Sequence, residues 1–260
     1  QDSVHKSITL AGSTSVQPYA ELLADEFTRS HPDFIVNVQG GGSSAGARAA
    51  LTGVAQIGML SRQLKDEEKS LQPIVIARDA IAVVVHPSNP VDDLTRGQVR
   101  AIFAGEVTNW SQVGGPDREI HVVSREEGSG TRGSFDEIIM ESTEVTPGAI
   151  VQDSNGAVRE TVAGDPAAIG YLSLGLVDKR VKGVCVSGVA PSISNVENGT
   201  YRIVRPFIFA TQGRPGPHVQ EFIGFALSPT GQGLLASEGL VPVVSAGAAG
   251  TEPAGSVDRP

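Results

Sequence analysis

Ile8-Thr9-Leu10-Ala11-Gly12-Ser13-Thr14-Ser15-Val16-Gln17-Pro18 is the stretch on which the fold turns. A short β-like run meets a patch of glycine and hydroxyl residues. Val16, Ala20, Leu23 and Phe27 then follow helical spacing. Pro18 falls in the first turn of that helix, where a missing N–H costs nothing. Ser15 is the expected N-cap.

The same pattern recurs three times. Phe34-Ile35-Val36-Asn37-Val38-Gln39 leads into Gly40-Gly41-Gly42-Ser43-Ser44-Ala45-Gly46 and a short Ala-rich helix to Leu51, ended by Gly53. Ile120-His121-Val122-Val123 leads into Ser124-Arg125-Glu126-Glu127-Gly128-Ser129-Gly130-Thr131, with Phe135, Ile138 and Ile139 on one helical face. Ala149-Ile150-Val151-Gln152 leads into Asp153-Ser154-Asn155-Gly156, with Val158 and Val162 continuing a helix that Gly164-Asp165-Pro166 stops. Strands alternating with helices define an α/β protein. Two long extended segments, Ile74 to Val85 (interrupted by Arg78-Asp79) and Ile203 to Thr211, are suited to cross between two lobes. The Ala-, Gly- and Pro-rich tail from Ser245 is expected to fray.

Such junctions suggest a chemistry. A helix start carries free N–H groups and a partial positive charge, glycine admits a ligand to the backbone, and short hydroxyls add donors. Several of them converging would form an anion site with few basic residues. Arg125 sharpens the third junction, because a guanidinium there could pair with an oxyanion while Glu126 or Glu127 orients it.

Composition narrows the field. The 260 residues are 40% hydrophobic and 19% charged, enough for a buried core and too few charges for a disordered chain. A net charge of −9 argues against nonspecific nucleic-acid binding, which needs basic surface. The longest apolar run, Ala80 to Val85, is far short of the roughly 20 residues of a membrane span. The polar opening from Gln1 shows no signal-peptide pattern and is expected to be that of a processed or trimmed chain, and composition leaves the compartment open. The one cysteine, Cys185, allows no intrachain disulfide, and its apolar neighbours Val184 and Val186 predict a buried thiol. The five histidines show no metal-ligand spacing.

Two motifs imitate other functions. Gly128 to Gly133 matches G-x-G-x-x-G with Asp153 downstream, but Arg125-Glu126-Glu127 separates the strand from the first glycine, and the two glutamates would repel a pyrophosphate. Gly42 to Gly46 matches the G-x-S-x-G elbow of serine hydrolases, with Ser44 as nucleophile and His218 as base, but it follows only the second strand.

Beyond the junctions, Ala11-Gly-Ser-Thr-Ser-Val-Gln-Pro18, Gln39-Gly-Gly-Gly-Ser-Ser-Ala-Gly46, Gln56-Ile-Gly-Met-Leu-Ser-Arg62, Ile102-Phe-Ala-Gly-Glu-Val-Thr-Asn-Trp110, Arg125-Glu-Glu-Gly-Ser-Gly-Thr-Arg132, Ser154-Asn-Gly-Ala-Val158, Ala168-Ile-Gly-Tyr-Leu172 and Arg205-Pro-Phe-Ile-Phe209 together resemble the phosphate-binding subunit of phosphate ABC importers. The resemblance runs in order over nearly the whole chain. It implies a two-lobed periplasmic-binding-protein type II fold, each lobe a mixed sheet flanked by helices. Lobe one would comprise 1–78 plus 206–245, lobe two 79–205, and 246–260 the tail. It implies phosphate contacts from Thr14, Ser15, Ser43 and Ser61 on one side and from Arg125, Ser129, Gly130 and Thr131 on the other. Trp110 is expected to pack in lobe two.

The implied protein is a periplasmic or extracellular monomer, with membrane anchoring of the unprocessed form left open. It captures inorganic phosphate and hands it to a transmembrane permease, with no enzymatic step, cofactor or metal. The alternatives are the same fold with another oxyanion, such as sulfate or a phosphonate, and a hydrolase using Ser44. One position departs from the family. Better-known members carry an aspartate where Ser61 stands, so the acceptor for the phosphate proton falls to a carbonyl, a hydroxyl, or a carboxylate such as Glu126 or Asp153. Arg62 adds a charge beside it.

Overall fold

A computed structural model describes residues 5–243. The expected fraying from 245 and the tail 246–260 lie outside the described residues. In chain order the first elements are β1 (Lys6–Gly12), α1 (Gln17–Ser30), β2 (Phe34–Gly40), α2 (Ser43–Thr52), β3 (Ile57–Leu60) and β4 (Leu71–Val85). Next come β5 (Asp93–Leu94), α3 (Arg96–Ala104), β6 (His121–Arg125), α4 (Gly130–Phe135), β7 (Ile150–Gln152), α5 (Asn155–Gly164), β8 (Ala168–Ser173), β9 (Lys182–Gly183), β10 (Cys185–Val186) and α6 (Ile193–Glu197). The chain returns through β11 (Val204–Gln212), α7 (Pro217–Leu227), α8 (Pro229–Ser237) and β12 (Val241–Pro242).

One mixed sheet runs β2-β1-β3-β11-β4-β8-β6-β7. β1 is parallel to β2 and β3, and β6 is parallel to β7 and β8. The two groups are joined by β4, which pairs antiparallel with β11 from Leu71 to Ala80 and with β8 from Ile81 to Val85. The change of partner is sealed by Ile81 N–H donating to Ile203 O at 2.8 Å. The two long extended segments are therefore neighbours in one ribbon.

Both faces of the sheet are covered, which explains why its central strands read as unbroken apolar runs. Along β4, Ile81, Val83 and Val85 enter a core with Phe103, Trp110, Phe135 and Tyr171, while Ala82 and Val84 enter a second one with Val123, Val158 and Leu172. Phe207 and Phe209 of β11 pack with Phe27 and Phe222, and Ile208 and Ala210 pack with Ala47 and Leu60 on the other face. Trp110 is fully buried and its indole N–H donates to Ala167 O at 2.9 Å. Cys185 is only half-buried, because the two-stranded β5–β10 pairing lies outside the main sheet.

The helix starts are set locally. α5 has Ser154 as N-cap, its hydroxyl accepting Ala157 N–H at 3.1 Å, and Ser129 caps α4 through Arg132 N–H at 3.1 Å. α4 then widens into a π-helical turn over Asp136–Met140. Gly53 closes α2 in the left-handed conformation. Ser15 does not cap α1: Val16 occupies that position, and the Ser13 hydroxyl accepts the N–H groups of Ser15 at 3.1 Å and Val16 at 3.3 Å. The tight turn puts Ser13 over the free amides, so the Ser15 side chain is spared for other contacts.

Candidate anion site

The four glycine- and hydroxyl-rich junctions meet. α2 lies so close to β1 that a Cβ on Gly46 would stand 2.6 Å from Ala11 O and 2.7 Å from Gly12 Cα. That approach carries Ser43, at the start of α2, onto Ser61 just after β3. Ser43 Oγ accepts Ser61 N–H at 3.1 Å and lies 3.3 Å from Ser61 Oγ, which accepts from Ser13 Oγ at 2.8 Å. Opposite them lies the start of α4. A Cβ on Gly130 would fall 2.0 Å from Ser43 Oγ and 2.5 Å from Ser61 Oγ. Three further hydrogen bonds close this face: Ser44 N–H to Gly128 O at 3.2 Å, Ser134 Oγ to Ser61 O at 3.2 Å, and Ser15 Oγ with Thr131 Oγ1 at 2.8 Å.

Arg125 closes one side at the end of β6. Its guanidinium is 1% exposed. Nε donates to Glu126 Oε2 at 2.9 Å and Gln152 O at 3.1 Å. Nη2 donates to Glu126 Oε1 at 2.9 Å, Asp153 O at 3.3 Å and Thr14 Oγ1 at 3.4 Å. Nη1 is buried with no protein partner. A guanidinium so held, with one nitrogen unsatisfied, is organised to donate to an anion.

The eight residues singled out in the sequence thus lie in one cluster. Thr14, Ser15, Ser43 and Ser61 come from the β1, α2 and β3 ends, and Arg125, Gly130 and Thr131 from β6 and α4. Ser129 is beside them, but its hydroxyl turns back to cap its own helix. Of the two carboxylates considered as proton acceptors, Glu126 has both oxygens on Arg125, and Asp153 is exposed and contributes its carbonyl to Arg125.

Three further polar residues, outside the eight expected from the sequence, join the cluster. Asn155 Nδ2 donates to Ser15 Oγ at 2.7 Å. Arg205 Nη1 donates to Thr131 Oγ1 at 2.8 Å and Nη2 to Ser15 Oγ at 3.1 Å. Asp79 stands directly across from Arg205 in the β4–β11 register, holding Nε at 3.0 Å and Nη2 at 2.9 Å through Oδ2 and accepting Ser173 Oγ at 2.9 Å through Oδ1. Burial pushes the Asp79 carboxyl upward, and the Arg205 charge and the Ser173 hydroxyl oppose that push. A signal was available: these are charges inside otherwise apolar extended runs, where an unpaired charge is costly.

Arg62 points inward. It is paired with Glu68 at 2.7 and 2.8 Å and donates to Ser44 Oγ at 3.1 Å. The hydroxyl of the G-x-S-x-G motif therefore faces a guanidinium, which cannot act as a general base. Burial raises the Glu68 carboxyl, but Arg62 and Lys65 N–H outweigh it and hold Glu68 below its ordinary value. A depressed carboxylate stabilises the fold above the unfolded value of 4.5 and loses that contribution as pH falls through the folded one. Glu68→Gln is expected to lower stability by about 1–3 kcal/mol at neutral pH. In denaturant melts, the gap from the parent protein should close as pH drops below 4.5.

Among the described residues there is no cluster of metal-ligating side chains and no helix long and apolar enough to cross a membrane.

A buried cluster of hydroxyls and guanidinium between two packed halves, bridged by paired strands, is the arrangement of a bilobal binding protein. Residues 1–230 match the PBP superfamily domain, and the chain belongs to that superfamily. Within it, the chain is 31% identical over 249 residues to the phosphate-binding protein PstS of Bacillus subtilis strain 168, covering 94% of this chain and 83% of that one. It is also similar to a crystal structure of a Clostridium perfringens ABC-transporter substrate-binding protein with bound phosphate, with a TM-score of 0.90, 42% identity, and coverage of 92% and 100% of the two chains. An ABC-type phosphate transport receptor from Vibrio cholerae gives a TM-score of 0.77 and 38% identity, with coverage of 91% and 100%.

Proposed function

We infer that this protein is the phosphate-binding component of an ABC importer. Inorganic phosphate is held between the two halves, and the loaded, closed form is what a transmembrane permease receives. No bond is made or broken. The observation that carries this reading is Arg125 Nη1, buried and unpartnered in a cluster whose hydroxyls come from both halves. The names of the relatives point the same way.

We place Thr14, Ser15, Ser43, Ser61, Arg125, Ser129, Gly130 and Thr131 around the anion. The halves, about 1–78 with 206–243 and 79–205, open and close about the β4–β11 ribbon. The protein acts as a monomer outside the cytoplasmic membrane. Isothermal titration with phosphate and with sulfate tests the reading. Expected is saturable one-site heat with phosphate and a rise in melting temperature that grows with ligand concentration. No heat and no shift with phosphate rejects it.

Sulfate merits its own arm of that titration. Both oxygens of Glu126 are bound to Arg125, and the Asp79 oxygens to Arg205 and Ser173. The Ser43 and Ser61 hydroxyls are then the groups suited to accept a phosphate proton. Because a hydroxyl can also turn and donate, the penalty that a fixed carboxylate imposes on sulfate is reduced. Tighter binding of sulfate than of phosphate would select the other-oxyanion reading.

A further inference from the structure

Asp79 and Arg205 are both buried, yet neither belongs to a hydrophobic cluster or to the eight residues of the candidate anion site. Their contacts form a closed ring: Arg205 to Ser15, Ser15 to Asn155, Asn155 to Ser173, Ser173 to Asp79, and Asp79 back to Arg205. The direction of each hydrogen bond follows from the donors that have no choice. Ser173 N–H can only donate, at 3.2 Å, so the Asn155 atom facing it is the oxygen. The Asn155 amino group therefore points at Ser15 Oγ. The guanidinium of Arg205 also only donates.

Ser15 Oγ thus receives two hydrogen bonds, from Asn155 Nδ2 at 2.7 Å and Arg205 Nη2 at 3.1 Å. Both its lone pairs are occupied, so the 2.8 Å contact to Thr131 is one in which Ser15 donates. Thr131 Oγ1 then receives Ser15 and Arg205 Nη1, the latter at 2.8 Å. Its lone pairs are occupied too. What it has left is its proton, in the first turn of α4 one residue after Gly130, which itself abuts Ser43 and Ser61.

We propose that Arg205, held by Asp79 across the two strands that join the halves, is a positioning residue that fixes the Thr131 hydroxyl as an obligatory donor to the bound anion. This rests on the phosphate-binding reading above. A planar fork is required, because one group must reach Thr131 and Ser15 with separate nitrogens while a third faces Asp79. A lysine supplies the same charge from a single nitrogen. Charge and orientation can therefore be separated by substitution.

The experiment is a double-mutant cycle on phosphate affinity, read by isothermal titration, with the parent protein, Arg205→Lys, Thr131→Val and the two combined. Expected is a loss of about tenfold for Arg205→Lys although the charge is kept, and a similar loss for Thr131→Val. In the combined variant, Arg205→Lys should add less than about twofold to the Thr131→Val loss. Parent-like binding by Arg205→Lys overturns the proposal. So does a loss that is fully additive with Thr131→Val, since Arg205 would then act without the hydroxyl. If Arg205→Lys does not fold by thermal melting, Thr131→Ser and Thr131→Val decide. Retention with serine and loss with valine support the obligatory donor, and equal binding by both overturns it. Absence of phosphate binding by the parent protein would instead bring down the functional reading.

Discussion

Arg125→Ala is expected to weaken phosphate binding by about 10- to 100-fold, measured by isothermal titration against the parent protein. The estimate follows from the range of about 1.5–3 kcal/mol for a hydrogen bond to a charged group. The structure explains why the loss should fall on binding. Nε and Nη2 are occupied by Glu126, the Gln152 and Asp153 carbonyls and Thr14, and these bonds lock the plane of the guanidinium. Nη1 is the nitrogen left over. Alanine removes that donor and also releases Glu126, whose negative charge then faces the ligand unopposed. Arg125→Lys should recover only part of the affinity, since an ammonium cannot hold Glu126 through two nitrogens and still offer a third. A loss below about threefold would mean that amides and hydroxyls alone hold the anion.

The second large effect is expected from a single methyl group. Gly130→Ala places a Cβ 2.0 Å from Ser43 Oγ, 2.5 Å from Ser61 Oγ and 2.9 Å from Ser43 Cβ. The hydroxyls could rotate away only by leaving the ligand, and the Ser43 Cβ has no such freedom, because Ser43 begins a helix packed against β1 through Gly46. The halves must therefore stay apart. Affinity should fall by about 100-fold or more, the order of losing two hydroxyl contacts and the enclosure they complete. The unliganded protein should melt cooperatively, because the added Cβ meets Ser43 and Ser61 of the opposite half. Small-angle scattering should show the parent contracting on addition of phosphate and the variant not. Contraction of Gly130→Ala to the parent's dimensions would contradict this account of closure.

How much of this was legible beforehand depended on sequence distance. The junctions could be read because each is local: a run such as Ile8-Thr9-Leu10-Ala11 and the hydroxyls after it report their own turn. The extended segments were recognisable because residues buried on both faces leave no polar alternation. Their mutual pairing was not, since Asp79 and Arg205 are 126 positions apart and nothing local marks them as partners. Asn155 was hidden for a similar reason, as its role depends on Ser15, 140 residues away. Ser15 reads as a cap from its place just before the helix, but Ser13, two residues earlier, accepts the Ser15 and Val16 N–H groups. For Arg62, proximity to the cleft was visible, but the direction of the side chain is decided by Glu68 from a short 3-10 turn that carries no distinctive pattern.

Each of the three buried guanidinium groups among the described residues arrives with its own carboxylate: Arg125 with Glu126, Arg205 with Asp79, Arg62 with Glu68. The cleft is therefore close to neutral overall, inside a polypeptide whose formal charge is −9. An incoming anion is balanced by oriented dipoles at short range, not by a long-range field. Such forces act within a few ångströms, well inside the Debye length of about 8 Å in physiological saline. Capture strength should thus hardly respond to the ionic strength of the surroundings.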